Sequence, residues 1–367
     1  MRDFQFGISV YHHQKNTDLS ESLALGKRLK AQFLFTSLHI PEEDPEQVRA
    51  NLTALLQQAA QYNYQIIADI SSQTLENWSL TLFQLAQLPV DYWRLDYGFE
   101  LAEIVSLSQT KGIVLNASTI TPSYLEELSK KGARFENIMA CHNFYPKPYS
   151  GLDMEYVKNQ NQLCQSYDLK TLGFISGDEN LRGPVYAGLP TVEDSRGQKP
   201  LLSALRMFVD GNCDIVLVGD PGLTDQSWQD LAFLSQGIVR LQAKLEPPAE
   251  VLYDQVLSER LDSSPYIIRS LENRNYAQAG PMISQEKNAA SGKKGSIRIG
   301  NEEYGRYSGD LEICRQDIPA DQKQNQLGFV SLPDLDLLPY IKQGMKNVLV
   351  KPANRVLNNK GMFCQLL

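Results

Sequence analysis

The sequence is poor in the residues that build metal and redox sites. Its four histidines, His12, His13, His39 and His142, fall at three separate strand ends with no HExxH or comparable ligand spacing. Its five cysteines, Cys141, Cys164, Cys213, Cys314 and Cys364, are odd in number, never spaced CxxC, and sit mostly inside apolar or helical patterns. Reduced structural thiols and no bound metal are expected. No apolar run approaches the roughly 18 residues of a membrane span, and Met1-Arg2-Asp3-Phe4-Gln5-Phe6 runs into the first strand without a signal-peptide core. A soluble, cytoplasmic chain with no membrane partner is the expectation.

Positive charge is scarce as well. Lys and Arg number 35 against 43 Asp and Glu, a net charge of −8, and the basic residues are scattered, so no nucleic-acid footprint exists. GxxxxGK[ST], a GxGxxG after a strand and a GxSxG elbow are all missing, which leaves nucleotide cofactors and serine-hydrolase chemistry unsupported. No cofactor is expected. A Schiff-base aldolase would need a lysine at a strand end, and no strand end offers one.

What the chain does have is a repeated pattern. Eight times in the first 220 residues a β-branched run closes on polar groups: Ser9-Val10-Tyr11-His12, Thr36-Ser37-Leu38-His39, Ala68-Asp69, Arg94-Leu95-Asp96-Tyr97, Leu115-Asn116, Cys141-His142-Asn143-Phe144, Ser176-Gly177-Asp178-Glu179 and Gly219-Asp220. Helical periodicity fills the gaps at Leu19 to Lys30, Pro45 to Tyr62, Glu100 to Gln109, Pro122 to Lys131 and Met154 to Tyr167, and a last helix is predicted from Asp225 to Lys244. The alternation predicts an α/β fold, a (β/α)8 TIM barrel. A doubly wound sheet alternates similarly but usually carries a Gly-rich turn after its first strand, and here that position reads Tyr11-His12-His13-Gln14.

A chain of 367 residues exceeds the roughly 250–300 over which one core keeps growing, so two domains are expected. Glu246-Pro247-Pro248-Ala249 marks the exit from the barrel, giving a barrel over residues 1–245 and a small all-β domain over 246–367. Short strands are predicted there around Ile267, Ile297, Ile313, Phe329 and Leu349, with a mobile loop from Ala277 to Lys294.

In a TIM barrel the strand C-termini form the active-site face, so the eight endings converge. Two carboxylates across such a mouth suit glycoside cleavage, one protonating the leaving oxygen and one attacking or activating water. Asp96 and Glu179 are the leading pair, with Asp178 beside them. Structural roles stay open: Asp178 as a helix or turn cap, Asp96 as the partner of Arg94. Asp69 is a further candidate that also reads as a strand-ending turn. His39, Asn116, His142 and Asn143 could supply donors and acceptors to a sugar. Tyr97 could stack on a ligand ring, and the loop after strand six adds aromatics and Lys147. Arg182, fixed by its Gly183-Pro184 neighbours, leads among cations for a phosphate.

The runs Phe35 to Asp44, Arg94-Leu95-Asp96-Tyr97-Gly98-Phe99, Leu115-Asn116-Ala117-Ser118, Cys141 to Pro146 and Gly177 to Pro184 resemble those of the 6-phospho-N-acetylmuramidases, and Ile299 to Gly309 resembles the motif of that family's C-terminal domain. The resemblance implies a TIM barrel followed by a cyclophilin-like β domain. It further implies cytoplasmic hydrolysis of a phosphorylated amino-sugar disaccharide, 6-phospho-N-acetylmuramic acid–N-acetylglucosamine, in peptidoglycan recycling during cell wall turnover. Two positions depart from the family pattern: Ser176 where a proline is expected and Ser195 where a histidine is expected. Both bear on substrate preference more than on reaction class. Tyr304, Arg306 and Tyr307 could reach over the barrel mouth. A catalytically silent sugar-phosphate sensor is the alternative function, and a homo-oligomer is compatible with the sequence.

Overall fold

The computed structural model describes residues 3–11, 16–38, 45–273 and 283–352. Eight strands, Gln5–Ser9 (β1), Phe33–Ser37 (β2), Gln65–Ile70 (β3), Tyr92–Leu95 (β4), Gly112–Asn116 (β5), Ile138–Cys141 (β6), Lys170–Ile175 (β7) and Ile215–Val218 (β8), form a closed barrel. All neighbours are parallel, and β8 returns to β1 with Phe6 opposite Val216 and Gly7 opposite Leu217. Closure excludes the open doubly wound sheet. Strands in such a barrel are buried on both faces, so they read as continuous apolar runs rather than alternating ones. Every residue of β2, β6 and β8 is buried.

Phe35, Ile67, Val114, Met139, Leu172, Phe174 and Leu217 belong to the central core. Phe35 and Phe174 meet edge to face at 5.1 Å, and Phe144, from the loop after β6, packs edge to face on both at 6.2 and 5.1 Å. The mouth therefore has an aromatic floor. Truncating one of these buried rings to alanine would cost about 3–5 kcal/mol through lost burial and the cavity left behind.

The helices are Asn16–Arg28 (α1), Pro45–Ala59 (α2), Ser72–Trp78 (α3), Leu82–Ala86 (α4), Leu101–Ser108 (α5), Pro122–Lys130 (α6), Met154–Gln165 (α7), Pro200–Val209 (α8) and Asp225–Leu234 (α9). Their starts carry ordinary N-terminal chemistry: Thr121 caps α6 with Pro122 in its first turn, and Asp153 and Thr224 cap α7 and α9. The last helix is shorter than predicted. It ends at Leu234, Gly237 turns the chain at φ 75°, and Ile238–Leu245 is a strand (β9). The cause is legible in retrospect, because Val239, Leu241, Ala243 and Leu245 are buried in strict alternation, the period of a strand and not of a helix.

The described residues form two compact units, one running up to residue 237 and the other from residue 238. The second holds a seven-stranded mixed sheet. With Val256–Ser258 (β10), Ile267–Arg269 (β11), Ser296–Gly300 (β12), Leu311–Cys314 (β13), Gln324–Val330 (β14) and Lys346–Val350 (β15), its order is β10-β15-β9-β14-β12-β13-β11. Only the β15–β9 pair is parallel. Residues 274–282 of the predicted mobile loop lie outside the described residues, and Ala290 of its remainder bridges to Asp321.

Candidate active site

Within the first unit, the C-terminal mouth of the barrel divides into two parts. The first is built on β3 to β6 around Arg94, which projects from the end of β4 with only 4% of its side chain exposed. Its Nη1 donates to Asp69 Oδ1 at 2.5 Å and to Asp96 Oδ1 at 3.4 Å, and its Nη2 donates to Asn143 Oδ1. Ser37 Oγ donates to the other oxygen of Asp69 at 3.3 Å. Burial pushes the Asp69 carboxyl up, against the pull of Arg94. Despite its own burial, Arg94 is held above its already high ordinary value by Asp69, so it stays charged. Asp96 is the more open carboxylate, 27% exposed against 11% for Asp69. It lines a cavity of about 240 Å³ together with Tyr97, Asn116 and Tyr124. The backbone after Asp96 can turn there because Gly98 adopts φ 81° and lies so close to Ser72 that a Cβ would clash.

A hydrogen-bonded chain supports this half from beneath. The backbone N–H of Asn143 donates to Ser118 Oγ at 3.3 Å, Ser118 Oγ lies 3.2 Å from His142 Nδ1, and His142 Nε2 lies 2.9 Å from Asn161 Oδ1. Asn161 donates in turn to the Gly211 carbonyl at 2.8 Å. Burial pulls His142 down to about 4, so its ring is neutral at neutral pH. His142, expected to face a sugar, is fully buried with both ring nitrogens engaged, and is corrected to a supporting role.

The second part runs from β7 round to β1. Here the loops after β7, β8 and β1, with α1 and α9, line a groove of about 990 Å³ that includes Tyr11, Glu179, Arg182, Tyr186 and Trp228. Asp220 holds it open. Buried at the end of β8, its carboxylate accepts from the backbone N–H groups of Gly177 (2.9 Å), Arg182 (3.0 Å) and Leu189 (2.9 Å), so one side chain fixes both ends of the loop after β7. Gly177 must be glycine, because a Cβ there would run into the Gly222 carbonyl oxygen and Asp220. Arg182 places its guanidinium carbon 4.0 Å from the Tyr11 ring centre and 5.7 Å from that of Phe144. Tyr11 is itself tied down by a 2.6 Å bond from its hydroxyl to the Gly219 carbonyl, and burial pushes that hydroxyl up to about 12.

The predicted carboxylates separate. Glu179 is exposed and lines the groove, its carboxylate without a partner among the described residues. Asp178 points elsewhere: it accepts from Thr224 N at 2.8 Å, Thr224 Oγ1 at 3.1 Å and Ser227 Oγ at 2.6 Å, bracing the start of α9. These bonds fit the turn-capping role that the sequence left open for Asp178. Asp96 and Glu179 line different cavities. Asn116 closes a turn through Ser118 N, and Lys147 is exposed in the loop after β6. That loop is clamped by Glu193, which accepts from Tyr149 N and Gly151 N at 2.8 Å each and pairs with Arg196 at 2.7 Å; the Arg196 bond pulls the Glu193 carboxyl down to about 2. Ser176 and Ser195 are both buried, and among the described residues neither hydroxyl finds a partner. Arg306 belongs to the second unit, where its guanidinium packs on Tyr307 at 4.8 Å. His39 lies outside the described residues.

Sequence reasoning named Arg94 only as a partner of Asp96 and Asp220 only as the eighth strand ending, and gave no role to Ser118 or Asn161. The available signal was Arg94 itself, a charged residue inside a strand otherwise buried on both faces. Among the described residues no three His, Cys, Asp or Glu side chains converge as a metal-ligand set, and no helix is long and apolar enough to cross a membrane.

Both halves of the chain match family descriptions: the N-terminal region of 6-phospho-N-acetylmuramidase over residues 6–233 and its C-terminal region over residues 239–350. Among solved structures, the chain is similar to a conserved protein of unknown function from Enterococcus faecalis, at 31% identity and a TM-score of 0.81 over 95% of this chain and 97% of that one. It is also similar to an uncharacterized B. cereus protein, at 24% identity and a TM-score of 0.76 over 96% of this chain and all of that one, a likeness of fold. No curated protein matches the chain.

Proposed function

The chain belongs to the 6-phospho-N-acetylmuramidase family, and from that premise we propose that it is a glycoside hydrolase cleaving 6-phospho-N-acetylmuramic acid–N-acetylglucosamine, as peptidoglycan recycling in the cytoplasm would require. The observation that carries this reading is the make-up of the mouth: a carboxylate held against a buried guanidinium stands on the same rim as a groove with a partner-free carboxylate and a stacked arginine. A volume near 990 Å³ is at the upper end of what small-molecule sites enclose, about 300–1,000 Å³, and suits a phosphorylated disaccharide.

In this reading Asp96 supplies the carboxylate that stabilises or attacks the developing positive charge at the anomeric carbon. Glu179, facing open groove, hands a proton to the leaving oxygen. Arg182 takes an anionic group of the substrate, phosphate or lactyl carboxylate, through its planar fork while its face rests on Tyr11. Asn116, Asn143 and Tyr97 offer polar and aromatic contacts to the sugar ring.

One incubation tests this. The protein is mixed with the phosphorylated disaccharide and, separately, with its unphosphorylated form, and the products are followed by mass spectrometry. Release of N-acetylglucosamine from the phosphorylated substrate alone is the expected result; equal cleavage of both forms would overturn the phosphate assignment. The separation of Asp96 and Glu179 into two cavities favours a second reading, a sugar-phosphate sensor. Binding of the disaccharide by calorimetry without any consumption would establish that one instead.

A further inference from the structure

Among the described residues Arg94 has three side-chain hydrogen-bond partners, and its own side chain is almost wholly buried. Two carboxylates, Asp69 and Asp96, share its Nη1, and Asn143 takes its Nη2. Asn143 is gripped from its other side through its backbone N–H and Ser118. The direction of that chain follows from its end. Because Asn161 donates its amide hydrogens to Gly211 O and Cys213 Sγ, its Oδ1 faces the ring and must accept from His142 Nε2–H. His142 Nδ1 is then the acceptor for the Ser118 hydroxyl, and Ser118 keeps a lone pair for the Asn143 N–H.

We infer that Arg94 is the positioning residue of this site: it neutralises Asp69 and Asp96 together and holds Asp96 and Asn143 in one geometry, without itself touching substrate. The inference deepens the glycosidase reading and rests on it for the role of Asp96. Its logic is electrostatic. Without the guanidinium, two neighbouring carboxylates in a poorly solvated place cannot both ionise, and one proton is retained to higher pH. Among the described residues, the other titratable groups facing Arg94 are Cys141 and His142 from the β6 end, and burial leaves both neutral at neutral pH, the thiol pushed up to about 12 and the imidazole down to about 4. Among the described residues, Asp69 and Asp96 are thus the carboxyl groups that meet the Arg94 guanidinium.

The test is the pH profile of kcat/KM on the phosphorylated disaccharide for wild type, Arg94→Met, Arg94→Lys and the double variant Arg94→Met/Asp69→Asn, between about pH 5 and 9. Arg94→Met should move the acid limb upward by about one pH unit or more and lower kcat by roughly 10²-fold through misplacement of Asp96. Adding Asp69→Asn should bring the limb back, because the second carboxylate is gone. Arg94→Lys should leave the limb in place and lower kcat about tenfold, since one ammonium keeps the charge but cannot replace the fork to Asn143. An unmoved limb in Arg94→Met, no return in the double variant, or a displaced limb in Arg94→Lys would each overturn the inference. If Arg94→Met does not fold, Arg94→Lys decides: kcat lowered about tenfold with the limb in place supports the inference, and an unchanged kcat or a displaced limb overturns it.

Should wild type not cleave the disaccharide, the glycosidase reading fails and the charge balance is still measurable by thermal unfolding. Loss of Arg94 raises the folded-state value of Asp69 still further above its unfolded value. The stability it contributes is then complete below the unfolded value and lost as pH rises. The midpoint of Arg94→Met should accordingly fall more steeply with rising pH than that of wild type or the double variant. Parallel curves for all three would refute the inference.

Discussion

Between β3 and β6 the barrel mouth is filled with fixed charge and hydrogen bonds around Arg94, and its cavity is about 240 Å³. Between β7 and β1 the same rim is mostly space, a groove of about 990 Å³ kept open by the bonds of Asp220 to three backbone amides. The difference teaches how one barrel separates two needs. In the proposed reading, charge needed before the reaction is held by rigid strand ends, and room for a sizeable substrate is left to loops. It also predicts that damage to the supports of the two halves should look different: loss of Asp96 from the fixed half should strike turnover, and loss of Asp220 or Arg182 from the open half should strike scaffold or affinity, with Glu179 the one catalytic candidate on the open side.

Asp96→Asn should give the largest effect, lowering kcat by about 10³-fold or more with binding of the disaccharide retained, as for loss of a group acting in the transition state. Comparable loss of binding and turnover would erase the distinction between the halves. Asp220→Ala comes next and strikes the other half. It orphans the N–H groups of Gly177, Arg182 and Leu189 and should cost about 3 kcal/mol or more in chemical denaturation. A cost under about 1 kcal/mol would mean the groove is not hung on that carboxylate.

Arg182→Ala should raise KM roughly 10- to 100-fold with a much smaller change in kcat, the signature of lost charge-assisted binding. Steady-state kinetics reversing that split would move Arg182 into the chemistry. Asp178→Ala should loosen the start of α9 by about 1 kcal/mol and leave kcat within about twofold; a kcat collapse in a folded variant would return Asp178 to the catalytic pair. The smallest effect concerns the Glu193 clamp. Its carboxyl is pulled below its ordinary value to about 2, chiefly by Arg196. The stability it contributes is therefore present above about pH 4.5 and lost as pH falls toward 2. Because Glu193 is partly solvated, Glu193→Gln should cost only about 1 kcal/mol at pH 7, and the gap to wild type should close at low pH. A gap that stays constant with pH would show that the ion pair contributes nothing.

The barrel strands were legible in the sequence because parallel strands buried on both faces must be apolar along their whole length, and because each closes on polar residues where it meets solvent. Strand β9 was misread as helix when a continuous reading of Asp225 to Lys244 hid the change from period 3.6 to period 2 at Gly237. At the site, Asp96 and Glu179 were nominated from their positions at strand ends, but the same logic nominated Asp178 and His142 equally. A strand end can face the mouth, a helix start or the layer behind the barrel, and periodicity does not distinguish these. Asp178 turned to Thr224 and Ser227, and His142 to Ser118 and Asn161, because those partners come from segments far away in the chain.

The sequence alone, through its hydrophobic period and polar strand ends, determined that this protein would be a barrel with a rim of carboxylates, amides and one loop arginine, followed by a second, sheet-forming domain. Only tertiary structure decided that Arg94 would gather Asp69, Asp96 and Asn143, and that Asp220 would shape a groove from a loop. The physical reason is that periodicity is a local property written within one strand or helix. The charge and hydrogen-bond partners of a buried group are set by which distant strand ends closure brings within about 3 Å.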